Sequence, residues 1–188
     1  MDTLREYIDK LNSCITQENE KSIEALCKTL KETWIDRKTV YICGNGGSAA
    51  NAIHIANDFH YGATSKNQDK KGLKVEALTA NSSILTCLAN DIGYSSVFSH
   101  QIERKGGDGD LLIVLSGSGN SKNILSAIEA ASKCKMKTAG ILGYDGGKAK
   151  KDLDIAVHFN INDMQIAEDM QLIVGHICMK YLNRETGS

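Results

Sequence analysis

Two glycine-serine runs hold the residues best suited to chemistry: Cys43-Gly44-Asn45-Gly46-Gly47-Ser48 and Ser116-Gly117-Ser118-Gly119-Asn120-Ser121. Each follows a short β-branched stretch and opens a helical one. The first N–H groups of a helix have no intrahelical partner, and the macrodipole adds partial positive charge there, so an anion is favoured at such a junction. Glycine lets the backbone come close, and the hydroxyls of Ser116, Ser118 and Ser121 can donate to phosphate oxygens without any cationic side chain. Either loop alone also fits ordinary N-capping by Ser and Asn. Two of them at the carboxyl ends of strands in one sheet, where open α/β folds bind ligands, favour a phosphate site. Gly44-x-Gly46-x-x-Ala49 matches a dinucleotide fingerprint only loosely, because the acidic residue expected about 20 residues on is missing and Glu76 lies too far along. The second loop lacks the Gly-Lys-Ser/Thr ending of a P-loop.

The acid–base candidates lie on two helical stretches. His54 and Asp58 are four residues apart and share a helix face, a spacing that suits a metal pair or a proton-transfer pair and equally an ordinary surface pair. Glu168, Gln171 and His176 interrupt the otherwise apolar pattern Ile166, Met170, Leu172, Ile173, Val174, Ile177 and Met179. Polar groups in so apolar a helix need partners, and a satisfied core histidine is the plain alternative to a functional one. Gly175 beside His176 weakens a helix, which a close helix–helix approach would explain. Asn90-Asp91 reads as a turn, and His60, His100 and His158 join no constellation.

The elements that must position these groups follow from periodicity. Leu4, Tyr7, Ile8, Leu11 and Ile15, then Ile23, Leu26, Cys27, Leu30 and Trp34, predict two leading helices within residues 1–36. From Thr39 onward five short apolar runs, at 39–43, 74–78, 111–115, 138–142 and 155–159, predict a parallel sheet. Helical segments near 48–61, 82–89, 95–105, 121–133 and 147–152 supply the crossovers, and a last helix runs from about Met164 to Leu182. The expectation is an α/β chain: a three-layer α/β/α sandwich over 37–188 with an N-terminal helical extension, all one domain over 1–188. The polar segment from Ser65 to Lys71 reads as a solvated loop, with a role in covering the site or meeting a second subunit as the alternative.

Composition narrows the partners. The 22 basic and 23 acidic side chains leave a net charge of -1, which offers no general attraction to nucleic acid or anionic lipid. No apolar run is long enough to span a bilayer and the first residues do not resemble a secretory signal, so a cytoplasmic protein is expected. Six scattered cysteines without a C-x-x-C pair read as reduced structural thiols.

Taken in order, Cys43–Ser48, the Ala-Asn-Asp-Ile-Gly-Tyr run at 89–94, the serine loop at 116–121 and the Gly-His pair at 175–176 resemble the phosphoheptose isomerases of the sugar isomerase (SIS) superfamily, over nearly the whole chain. The resemblance implies conversion of sedoheptulose 7-phosphate to D-glycero-D-manno-heptose 7-phosphate for surface-glycan heptose, in a homotetramer with active sites at subunit interfaces. It implies that Asn45, Gly46 and Gly47 contact substrate, that Asn90 and Asp91 hold sugar hydroxyls, and that Ser116, Gly117, Ser118 and Ser121 form the phosphate loop. It also implies that Asp58 and His176 transfer protons and that Glu168 faces substrate. His54, Asp58, Glu168 and His176 fall where some members bind zinc, and two histidines with two carboxylates make a sensible set. Three positions depart from the pattern: Asp58 replaces Glu, Glu168 replaces Gln, and Gly117 replaces Thr. An isomerase of another phosphosugar, or a non-catalytic scaffold that binds the bacterial replication initiator, are the rival readings.

Overall fold

A computed structural model describes residues 2–61 and 71–185. Helix α1 (Asp2–Ser13) leads into α2 (Gln17–Ile35). A capping box starts α2: the Asn19 N–H donates to Thr16 Oγ1 at 3.3 Å and the Thr16 N–H donates to Asn19 Oδ1 at 3.0 Å, satisfying amides the helix itself cannot. Asn19 also donates to the His158 carbonyl at 2.6 Å, which ties α2 to the last strand.

Strands and helices then alternate: β1 (Thr39–Gly44), α3 (Gly47–Tyr61), β2 (Lys74–Ala77), α4 (Ser82–Asp91), a 3₁₀ turn (Tyr94–Ser96) and α5 (Ser99–Lys105). They continue through β3 (Leu111–Ser116), α6 (Lys122–Lys133), β4 (Lys137–Leu142), α7 (Ala149–Asp152), β5 (Ile155–His158) and α8 (Met164–Glu185). All pairings are parallel, in the order β2-β1-β3-β4-β5. The chain leaves β1 toward one edge and β3 toward the other, so the crevice at their carboxyl ends is the switch point where such sheets bind ligands. Both glycine-serine loops open there.

Alternate residues of the central strands feed two cores. Val40, Ile42, Leu111, Ile113 and Leu115 meet Leu26, Leu30, Phe59, Met170 and Val174 from α2, α3 and α8. Tyr41, Cys43, Leu112 and Val114 meet Ile102, Ile124, Ile128 and Ala149 from α5, α6 and α7. Every residue of β3 is buried, as expected of a parallel strand covered on both faces.

The observed elements follow the periodicity with two local corrections. The segment expected as one helix over 95–105 is a 3₁₀ turn followed by α5, with Val97 and Phe98 buried at the junction between them. Asn90 and Asp91 form the last turn of α4 rather than a loop, and the reversal comes at Gly93, whose φ of 93° suits glycine. Most of the predicted loop from Ser65 to Lys71, residues 65–70, lies outside the described residues. Cys14, Cys27, Cys43 and Cys178 are buried as expected, whereas Cys87 is exposed with its thiol 3.5 Å from Asp91 Oδ2. Among the described residues no helix is long and apolar enough to cross a membrane.

Candidate active site

Helices α3 and α8 cross closely enough to exclude even one methyl group. A Cβ built on Gly175 would lie 2.7 Å from Ile55 Cγ1, so the glycine is what permits the approach. Gln171, fully buried, seals the same contact by donating to Ser48 Oγ at 3.0 Å and accepting from Asn51 at 3.0 Å. Gln171 is therefore a satisfied core residue.

Beside this crossing His54, Asp58 and His176 converge. The two Nε2 atoms are 3.1 Å apart, and Asp58 Oδ2 lies 3.4 Å from that of His54 and 3.3 Å from that of His176. The short Asp58 side chain thus reaches both imidazoles. His54 and His176 are about half exposed and Asp58 is more enclosed. In a tetrahedron with bonds of about 2.0–2.1 Å, ligand atoms sit roughly 3.3 Å apart. The three observed separations match one face of such a tetrahedron, and two imidazoles with a carboxylate are a donor set suited to a divalent metal.

Glu168 does not join this cluster. It precedes His176 by eight residues, about 12 Å along α8, and its carboxylate packs against Gly47 at the start of α3. There it lines a cavity of about 250 Å³ with Asn45, Gly46, Gly47, Ser116, Gly117, Ser118, Ser121 and Met164. Eight residues expected to meet substrate are thereby gathered at one place.

The loops' bonding shows which hydroxyls the backbone engages. Ser121 is the N-cap of α6 but makes no side-chain capping bond, so its hydroxyl is not spent on the helix. Ser116 Oγ accepts from the Gly119 N–H at 3.0 Å and Ser118 Oγ from the Asn120 N–H at 3.3 Å. With their oxygens accepting from the backbone, both hydroxyl protons remain to be donated. Gly46, at φ 57°, permits the first turn. Gly117 makes room for Met164, whose sulfur would lie 2.6 Å from a Cβ at that position.

Several residues that motif reading passed over hold this cavity together. Asn45 and Asn123 exchange two amide hydrogen bonds of 2.9 and 2.8 Å, and Tyr94 donates to Asn45 Oδ1 at 2.8 Å. Asn45 is thus a brace between the loops as much as a contact. Lys122, directly after Ser121, lines an adjoining cavity with Asn45, Tyr94 and Asn123. Asn90 and Asp91 stand exposed at the end of α4, with Asn90 donating to Asp91 at 2.8 Å; they belong to neither the cavity nor the histidine cluster. His158, left as structural, is so: its Nε2 lies 2.9 Å from the Tyr144 carbonyl and its Nδ1 lies 3.0 Å from Lys150 Nζ.

The model of the SIS domain family matches residues 4–143. A phosphoheptose isomerase of Helicobacter pylori is 39% identical over 173 residues, covering 88% of each chain. The chain belongs to the SIS domain family, among its phosphoheptose isomerases. A solved phosphoheptose isomerase structure from Neisseria gonorrhoeae superposes with a TM-score of 0.82 at 27% identity, covering 96% of this chain and 95% of that one. One from Francisella tularensis reaches 0.87 over 97% of each chain at 23% identity, a likeness of fold. The family match begins within α1, so the leading helices lie within the shared pattern.

Proposed function

We propose that this protein is an aldose–ketose isomerase that converts sedoheptulose 7-phosphate to D-glycero-D-manno-heptose 7-phosphate, for heptose destined for surface glycans. The observation that carries the reading is the pairing of a serine-lined anion cavity with a separate acid–base cluster. Gly47 and His54 are seven residues apart, about 10 Å along α3. An extended chain advances roughly 1.2 Å per bond, so the eight bonds from C1 to phosphorus of a heptose 7-phosphate span about 10 Å. A sugar anchored by its phosphate at Ser116, Ser118 and Ser121 therefore presents its far end, the reacting end, at the cluster.

Isomerisation moves a proton between C1 and C2 through an enediol. Asp58 and His176 are the groups placed to take and return it, and the phosphate anchor supplies the remote binding energy that orients the reacting carbons. Gly46 and Gly47 leave the backbone open to the substrate. Glu168 accepts sugar hydroxyls above Gly47, with Gly117 and Met164 shaping the wall opposite. Asn90 and Asp91, at the end of α4, would hold sugar hydroxyls. His54, Asp58 and His176 would hold zinc, with a coordination position left open as in catalytic sites, and the ion would polarise the substrate carbonyl. Glu168 lies too far along α8 to complete that set within one chain. The reading includes one domain over 1–188, a homotetramer that brings sites to its interfaces, and a cytoplasmic location.

The test is incubation of the purified, metal-assayed protein with sedoheptulose 7-phosphate, followed by NMR. Appearance of the aldose supports the proposal. Binding of the sugar phosphate without turnover, in zinc-loaded protein, refutes it in favour of another phosphosugar.

A further inference from the structure

The inner face of α8 looks toward α3 and the catalytic cluster, and its other side packs on α2. Position 178 is turned about 200° from His176 around the helix axis, so the two residues serve opposite contacts. At the α2 contact the Sγ atoms of Cys27 and Cys178 lie 3.6 Å apart in an S–H···S hydrogen bond. Both residues are buried, at 3% and 1% exposure. Cys27 also borders a groove of about 490 Å³ between α2 and α8, with Ile15, Ile23, Ile177 and Tyr181. The groove brings a small solute up against Cys27.

We propose that Cys27 and Cys178 are a peroxide-reactive dithiol that closes to a disulfide joining α2 to α8. The Cys27 thiolate attacks one oxygen of hydrogen peroxide, the O–O bond breaks, and water leaves once the departing oxygen has taken up a proton. Cys27 is then a sulfenic acid. The Cys178 sulfur gives up its proton and attacks Cys27 Sγ, the S–O bond breaks, and the departing hydroxide takes that proton as a second water. Two thiols and one peroxide become one disulfide and two waters.

The direction of attack follows from access. Cys27 lines the groove and Cys178 does not. Cys27, the one beside the groove, is the nucleophile, and Cys178 resolves. Closure shortens the sulfur separation from 3.6 Å to about 2.0 Å. This draws α8 toward α2, away from α3, and so separates His176 from His54 and Asp58.

The test treats the full-length protein with hydrogen peroxide, then denatures it, alkylates free thiols and maps the peptides by mass spectrometry. The expected result is loss of two of the six alkylatable thiols, with the Cys27 and Cys178 peptides linked and released by dithiothreitol. In Cys27→Ala the Cys178 thiol stays alkylatable, and in Cys178→Ala the oxidation stops at a Cys27 sulfenic acid trapped by dimedone. Linked protein should turn over sugar phosphate at least several-fold more slowly and recover with dithiothreitol. Six alkylatable thiols after treatment, or oxidation confined to the exposed Cys87, would overturn the pairing. Unchanged turnover of linked protein would overturn its coupling to His176. Linkage in a protein inactive in both states would leave the pairing intact and count against the isomerase reading alone.

Discussion

Gly175→Ala probes the helix crossing that holds His54, Asp58 and His176 together. In an exposed helix this change stabilises by about 1 kcal/mol, because alanine orders at less entropic cost. Here the new Cβ would lie 2.7 and 2.9 Å from Ile55 Cγ1 and Cδ1, and Ile55 is itself 3% exposed, with no room to retreat. Overpacking of this kind costs about 1–3 kcal/mol, so the net effect is a loss of about 1 kcal/mol, or roughly 2–4 °C in Tm for a chain of this size. In an Ile55→Ala background the obstructing atoms are gone and the same substitution should stabilise by about 1 kcal/mol. The double-mutant cycle, measured by urea denaturation, should show a coupling near 2 kcal/mol. Activity should fall in Gly175→Ala, since α8 must move and carry His176 from Asp58 Oδ2, now 3.3 Å away. Equal effects of Gly175→Ala in both backgrounds would refute the close-approach explanation.

Other outcomes follow from the same geometry. Ser118→Ala should raise KM about tenfold or more, the loss of a hydrogen bond to a charged group, while kcat changes little; the reverse pattern in steady-state kinetics would remove Ser118 from phosphate binding. Lys122→Ala should raise KM and flatten the salt dependence of kcat/KM, while stabilising α6 by a few tenths of a kcal/mol because a cation in the first turn opposes the helix dipole. Tyr7 donates to Asp169 Oδ2 at 2.5 Å, and that bond, with burial and the nearby carboxylates adding to it, pushes its pKa up to about 12. A proton bound more tightly in the folded state stabilises it below the ordinary value of 10.0 and the benefit is lost as pH rises toward 12, so docking of α1 on α8 should weaken across that window. An absorbance titration should show one fewer late-titrating tyrosine in Tyr7→Phe, while Tyr41, pushed up by burial, still titrates late.

The legible part of the fold was the part that local periodicity controls. The apolar runs marked all five strands, and the helical spacing in residues 1–35 marked α1 and α2, because each of these elements buries one consistent face or both. The break at Val97 and Phe98 was hidden, since adjacent buried apolar residues also occur within continuous helices, as Leu26 and Cys27 do in α2. At the site, Ser116, Ser118 and Ser121 were readable from their place after a strand, and Gly175 from its cost. The separation of Glu168 from His54 and Asp58 was not, although its eight-residue distance from His176 already implied about 12 Å. The reciprocal pairing of Asn45 with Asn123 spans 78 positions and leaves no periodic trace. The exposed Cys87 shows the same limit, because apolar neighbours in sequence are not neighbours in space.

The most direct test of the account is solvent exchange during turnover. Wild-type protein incubated with sedoheptulose 7-phosphate in deuterium oxide should form aldose heptose phosphate carrying deuterium at C2, read by NMR, because Asp58 and His176 exchange the abstracted proton with solvent. Asp58→Asn, still binding the sugar phosphate through Ser116, Ser118 and Ser121, should lose about 10²-fold or more in both exchange and product formation, the usual contribution of a positioned acid or base. Undiminished exchange in Asp58→Asn, or wild-type protein that binds the ketose phosphate and exchanges nothing, would contradict it.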